Sequence, residues 1–133
     1  MIDNLGQAES WFKRSLPPHT QIMSEDRERD YATLITTPVE KFCVTFKREY
    51  YKAFGDHFGT QEGYGQIANK RLLVFCANYG YIFVMVMPDS KIYAIDAKEF
   101  IKYYLQHKTD VPHLDGEIAC RLKMFRRLYA QRV

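Results

Sequence analysis

Residues 29–47, R-D-Y-A-T-L-I-T-T-P-V-E-K-F-C-V-T-F-K, decide how this chain is read. Two runs in it, Tyr31 to Ile35 and Lys41 to Lys47, are rich in β-branched and aromatic residues and predict a pair of strands. Thr36, Thr37 and Pro38 between them predict a turn. A hairpin turning around Pro38 sets Asp30 roughly opposite Phe46, beside the side chains of Thr45 and Lys47. Thr45 and Lys47 share a face because strand side chains alternate with a period of two. An acid, a hydroxyl and a lysine thus converge on one point of a sheet. Phosphodiester hydrolysis has a use for such a point. A divalent cation neutralises the developing charge and activates water, magnesium is held by one or two carboxylates, and a lysine stabilises the transition state. The plainer reading of Lys47 is a strand-end lysine in a solvated row, and the hairpin geometry favours the site.

Outward from the hairpin, the apolar positions Leu5, Ala8, Phe12 and Leu16, with Glu9 among them, predict a helix over residues 3–16 that stops at Pro17-Pro18. Thr20 to Met23 reads as a short strand and Glu25 to Arg29 as a charged turn. Four glycines between Tyr50 and Gly65 predict a loop. From about Gly65 the spacing of Ala68, Leu72, Phe75, Cys76 and Tyr79 predicts a helix with one continuous apolar stripe, stopped by Gly80. Tyr81 to Met87 is apolar almost throughout, as in a strand covered on both faces. After a turn at Pro88-Asp89-Ser90, Lys91 to Ile95 returns as a strand, and Asp96 caps a helix with Glu99 at the capping-box position. The tail fits a strand or a helix. A short strand followed by a helical turn is the preferred reading. The order α, β, β, β, α, β, β, α predicts a mixed sheet covered by helices.

Asp30, the hairpin and Thr45-Phe46-Lys47 resemble the Asp…Glu-x-Lys signature of the PD-(D/E)XK nucleases, in particular the archaeal Holliday-junction resolvases. The stretch from Asn69-Lys70-Arg71 through Tyr79-Gly80-Tyr81 to Met87 is similar to that family's crossover helix and following buried strand, so the resemblance covers about residues 24–96. It implies an α/β, restriction-endonuclease-like mixed sheet flanked by helices, with residues 1–133 as one domain. It also implies an endonuclease or junction resolvase, using Mg²⁺ or Mn²⁺, that acts on branched or duplex DNA as a homodimer. Asp30 binds metal in that reading, Lys47 assists the water, and Glu9 or Glu49 completes the site. The departure is Thr45, where the family places a carboxylate; threonine is a poor magnesium ligand. Glu49 lies two residues past Lys47 on the same face if the strand continues, and Glu62 is a weaker substitute. The missing carboxylate supports an alternative, a non-catalytic nucleic-acid-binding or regulatory relative. A third class is a protein-interaction module that keeps only the fold.

Charge adds a modest argument. The formal net charge is +3, with 6 basic and 3 acidic residues over 41–71 and 5 basic and 1 acidic over 117–133. Basic patches attract polyanions, and solvated charged faces are also common. Lys47, Arg48 and Lys52 interleave with Tyr50, Tyr51, Phe54, Phe58 and Tyr64, a pattern that suits stacking on bases and tracking of phosphates as well as packing under a sheet. Arg29, Arg48, Lys52, Tyr50 and Tyr51 are the candidate nucleic-acid contacts. A literal P-D…D-x-K string at residues 88–98 is a decoy, because seven residues of extended chain hold Asp89 and Asp96 roughly 23 Å apart. Cys43, Cys76 and Cys120 sit in separate apolar runs and read as buried free thiols of a reducing compartment. The four histidines have no zinc-like spacing to them. No apolar run approaches a membrane span, and residues 1–16 lack a signal-peptide pattern. The expected location is intracellular: cytoplasm, nucleoid, or the host cell interior if the source is viral.

Overall fold

The computed structural model describes residues 1–28, 32–48, 65–107 and 116–131. Its frame is a six-stranded mixed sheet. The strands are β1 (Ser24–Glu28), β2 (Ala32–Thr36), β3 (Lys41–Phe46), β5 (Ile82–Val86), β6 (Ile92–Asp96) and β8 (Arg126–Leu128), in that spatial order. Neighbours run antiparallel except β3 and β5, which are parallel. A parallel pair needs a crossover, and the helix α2 (Lys70–Tyr79) supplies it. Two further strands, β4 (Gly65–Asn69) and β7 (Glu117–Arg121), form a separate antiparallel pair. The helices α1 (Leu5–Lys13) and α3 (Ala97–His107) complete the described elements.

Strand alternation divides the interior into two layers. On one face, Ala8 and Phe12 of α1 pack on Ile35, Phe42, Val44, Val84, Val86, Ile92 and Ala94. The Phe12 ring meets Phe42 edge-on, with centroids 4.9 Å apart. On the other face, α2, α3 and the small sheet bury Ala32, Leu34, Cys43, Phe83, Met85, Tyr93 and Ile95. Covering on both sides is why β5 is apolar at every position and β2, β3 and β6 nearly so.

Local chemistry sets the helix ends. The Asn4 side chain accepts from the Gln7 amide, and Asn69 accepts from Leu72. Gly80 takes φ +75°, and its amide closes on the Cys76 carbonyl. Asp96 Oδ1 accepts from the Lys98 amide at 3.4 Å. Asp89 Oδ1 accepts from the Lys91 amide at 3.1 Å inside the β5–β6 turn, the turn role that sets Asp89 apart from a metal site.

Four sequence expectations need correction. Residues 24–28 form a strand rather than a charged turn. All five are exposed on the sheet edge, so no hydropathy alternation marks them. Residues 20–23 are not a strand, although the Met23 amide donates to Thr36 O at 2.7 Å and leads the chain into β1. Gly65–Asn69 is a strand, and helix begins only at Lys70. The buried face of α2 is Leu73, Cys76 and Ala77, whereas Phe75 and Tyr79, expected on the apolar stripe, are 37% and 59% exposed. The tail has its strand and helical turn, β7 and Leu122–Met124, but then adds β8 along the edge of β6.

Candidate functional site

The β2–β3 hairpin exists, with a register one residue away from the expected one. Ala32 faces Thr45 and Thr36 faces Lys41, whereas a turn centred on Pro38 would set Ala32 against Val44. The connection is four residues long, Thr37 to Glu40. The Thr37 amide donates to the Glu40 carbonyl at 2.8 Å, and Thr37 Oγ1 accepts from the Glu40 amide at 3.0 Å. An even loop centres the turn between Pro38 and Val39. Asp30 and Arg29 lie outside the described residues, as do Glu49, Tyr50, Tyr51, Lys52, Phe54, Phe58, Glu62 and Tyr64.

Thr45, the position of the expected carboxylate, is 2% exposed. Its hydroxyl donates to the Val84 carbonyl of the parallel neighbour β5 at 2.7 Å. By alternation it points with Cys43 toward the layer covered by α2 and α3. Lys47 follows on that face; its Nζ lies 6.0 Å from the centroid of the buried Phe83 ring, and its amide continues the ladder to Val86 O at 3.1 Å. Arg48 is exposed.

Glu9 is elsewhere. Arg27 of β1 donates to Glu9 Oε1 through Nε at 3.2 Å and through Nη2 at 2.8 Å, and Thr33 Oγ1 of β2 donates to the same oxygen. Thr33 and Ile35 belong to the face that α1 covers, so the sheet itself separates Glu9 from Thr45 and Lys47. An acid near a helix's apolar stripe signals an inward-facing group, and in this chain the inward partner is an arginine on an edge strand. Among the described residues, no cluster of three His, Cys, Asp or Glu side chains is close enough to hold a metal.

The cysteines are free and buried, as the sequence predicts. Hydrogen bonding with the Cys76 side chain, followed by burial, drives the Cys43 thiol far above the usual thiol range, while burial pushes Cys120 up to about 12. Neither thiol is a nucleophile near neutral pH.

A second surface escaped the sequence reading. The outer side of α2 carries Lys70, Arg71, Val74, Phe75, Asn78 and Tyr79 around an open hollow of about 530 Å³. The Phe75 ring stacks on Tyr81 at 5.8 Å and 28°, and lies 4.8 Å from Tyr79. Lys41 Nζ donates to the Tyr79 carbonyl at 3.4 Å and sits 5.7 Å from the Tyr81 ring centroid. The available signal was a run of residues, K-R-L-L-V-F-C-A-N-Y, without one acidic member. Phe75 and Tyr79 share a stripe with Leu72 and Cys76 at helical spacing, but the core takes the adjacent face of Leu73, Cys76 and Ala77.

Comparison with protein-family models, with curated proteins and with solved structures gives no match in any of the three.

Proposed function

We propose that this chain is a nucleic-acid-binding or regulatory relative of the restriction-endonuclease-like nucleases, and that it does not hydrolyse the strand it binds. Thr45 carries the reading: a carboxylate position has become a buried hydroxyl whose proton is committed to a main-chain carbonyl. Thr45 lies against the apolar layer, and among the described residues the charged groups that act on that face near Cys43 are one carboxylate, Glu28, and one lysine, Lys47; a magnesium ion retains several waters and demands oxygen ligands. Glu9 adds support, since it is neutralised by Arg27 on the far side of the sheet. The sheet is compatible with the proposed ancestry. A meander β1-β2-β3, a crossover helix and a strand β5 parallel to β3 follow in chain order behind α1.

The test uses radiolabelled single-stranded, duplex and four-way-junction DNA with Mg²⁺ or Mn²⁺ and the purified chain. Retention that weakens steeply with salt, with the strands intact, is the expected result. Metal-dependent cleavage that is lost in folded Asp30→Ala and Lys47→Ala variants overturns it and restores the endonuclease. No retention of any nucleic acid leaves a protein-interaction module. Dimerisation belongs to the same proposal and is read from sedimentation of the free and bound chain.

A further inference from the structure

We infer that the outer face of α2 is the binding surface and that it takes an unpaired nucleic-acid strand, with bases on Phe75 and Tyr79 and phosphates on Lys70, Arg71 and Lys41; this rests on the nucleic-acid reading above. Chemistry at two scales points there. Lys70, Arg71 and Lys41 are exposed, and among the described residues Lys70 and Arg71 form no ion pair and no acid lines the hollow. A face whose described charges are all cations is complementary to a polyanion. Between the cations stand exposed aromatic rings. The Phe75 ring stacks on Tyr81, which fixes its orientation in advance.

The pairing of rings with cations selects the ligand. Base faces are hidden inside a duplex stack, and a duplex exposes them to a side chain only at the cost of unstacking a base step, so surface rings favour unpaired bases, with little regard for sequence. Lys70 and Tyr79 stand about 14 Å apart along the helix axis at 1.5 Å per residue. Lys41 reaches the Tyr79 end and Lys70 with Arg71 hold the other, so a short run of backbone is gripped at both ends with its bases between. Single exposed apolar residues need no explanation, but Val74, Phe75 and Tyr79 lie on one helical face beside three cations.

The experiment is fluorescence-anisotropy titration of a labelled oligothymidylate and a labelled mixed-sequence duplex, with thermal melts of every variant. The single strand is expected to bind more tightly than the duplex, with a log–log salt slope of about −2, from ~0.7 for each of three cations. Phe75→Ala and Tyr79→Ala should each weaken the single strand roughly tenfold, the loss of one stacked base. Lys70→Glu with Arg71→Glu should abolish binding without lowering the melting temperature. Wild-type binding that the α2 variants leave unchanged overturns this surface and spares the nucleic-acid reading. Absence of any binding by the wild type overturns both. Equal or tighter duplex binding overturns the unpaired-strand assignment. A dimer that Phe75→Ala dissolves, or a large drop in melting temperature in that variant, shows instead that protein covers the face.

Discussion

Thr45→Glu places a carboxylate at the position where the nuclease pattern would have one, and separates two pictures of the hairpin by sign. In a metal site, the new acid binds the cation and metal raises the melting temperature by mass action. In the observed packing, Thr45 is 2% exposed, directed at an apolar layer, and bonded to Val84 O at 2.7 Å. The substitution removes that bond, worth about 1 kcal/mol. It also sets a carboxylate against buried apolar groups, where an uncompensated charge costs about 3–5 kcal/mol. Lys47, two residues along on the same face, offsets part of this. A net loss of about 3 kcal/mol lowers the melting temperature by roughly 10 °C in a chain of this length. Burial raises the carboxyl pKa in the folded state above its unfolded value. The penalty is therefore absent below the unfolded value, grows as pH rises from there to the folded one and is complete above it, so the gap from wild type narrows toward pH 4. Calorimetric melts at pH 4 and pH 7, with and without 10 mM Mg²⁺ (an amount chosen as saturating for about millimolar sites), measure all three effects. Thr45→Val is the control and should lose about 1 kcal/mol, with no pH dependence. An unchanged melting temperature in Thr45→Glu, or one raised by metal, refutes the buried placement.

Phe12→Ala should destabilise the chain by about 3–5 kcal/mol, because the ring is fully buried against Phe42 and anchors α1 to the sheet; urea unfolding measures it. Gly80→Ala should cost about 1–2 kcal/mol through the left-handed backbone alone, since nothing lies within 4 Å of the added methyl. Cys120 has a folded pKa of about 12 against an ordinary 9.0. Its contribution to stability is complete below pH 9 and is lost as pH rises toward 12. Stability should fall over that window by urea titration, more steeply in wild type than in Cys120→Ala. Ellman's reagent at pH 8 should find all three thiols silent in the native chain and reactive in guanidinium.

The sequence by itself determined the central architecture. Strands buried on both faces cannot alternate, so β5 was legible as an apolar run and β3 as a β-branched one. Gly80, Asp96 and the Pro88-Asp89-Ser90 turn were legible because caps and turns are local chemistry. Strands whose stability comes from partners alone were not legible. β1 is exposed at every residue, β4 is recognised only by its pairing with β7, and β8 lies on a sheet edge. Whether two residues meet was likewise a tertiary matter. A four-residue turn moved the hairpin register by one, and the sheet came between Glu9 and Thr45, because a strand's two faces lead to different layers. Tertiary packing likewise made α2's aromatics into a surface: two overlapping apolar faces were legible on the helix, and the core took the one with Leu73, Cys76 and Ala77, leaving Phe75 and Tyr79 outside.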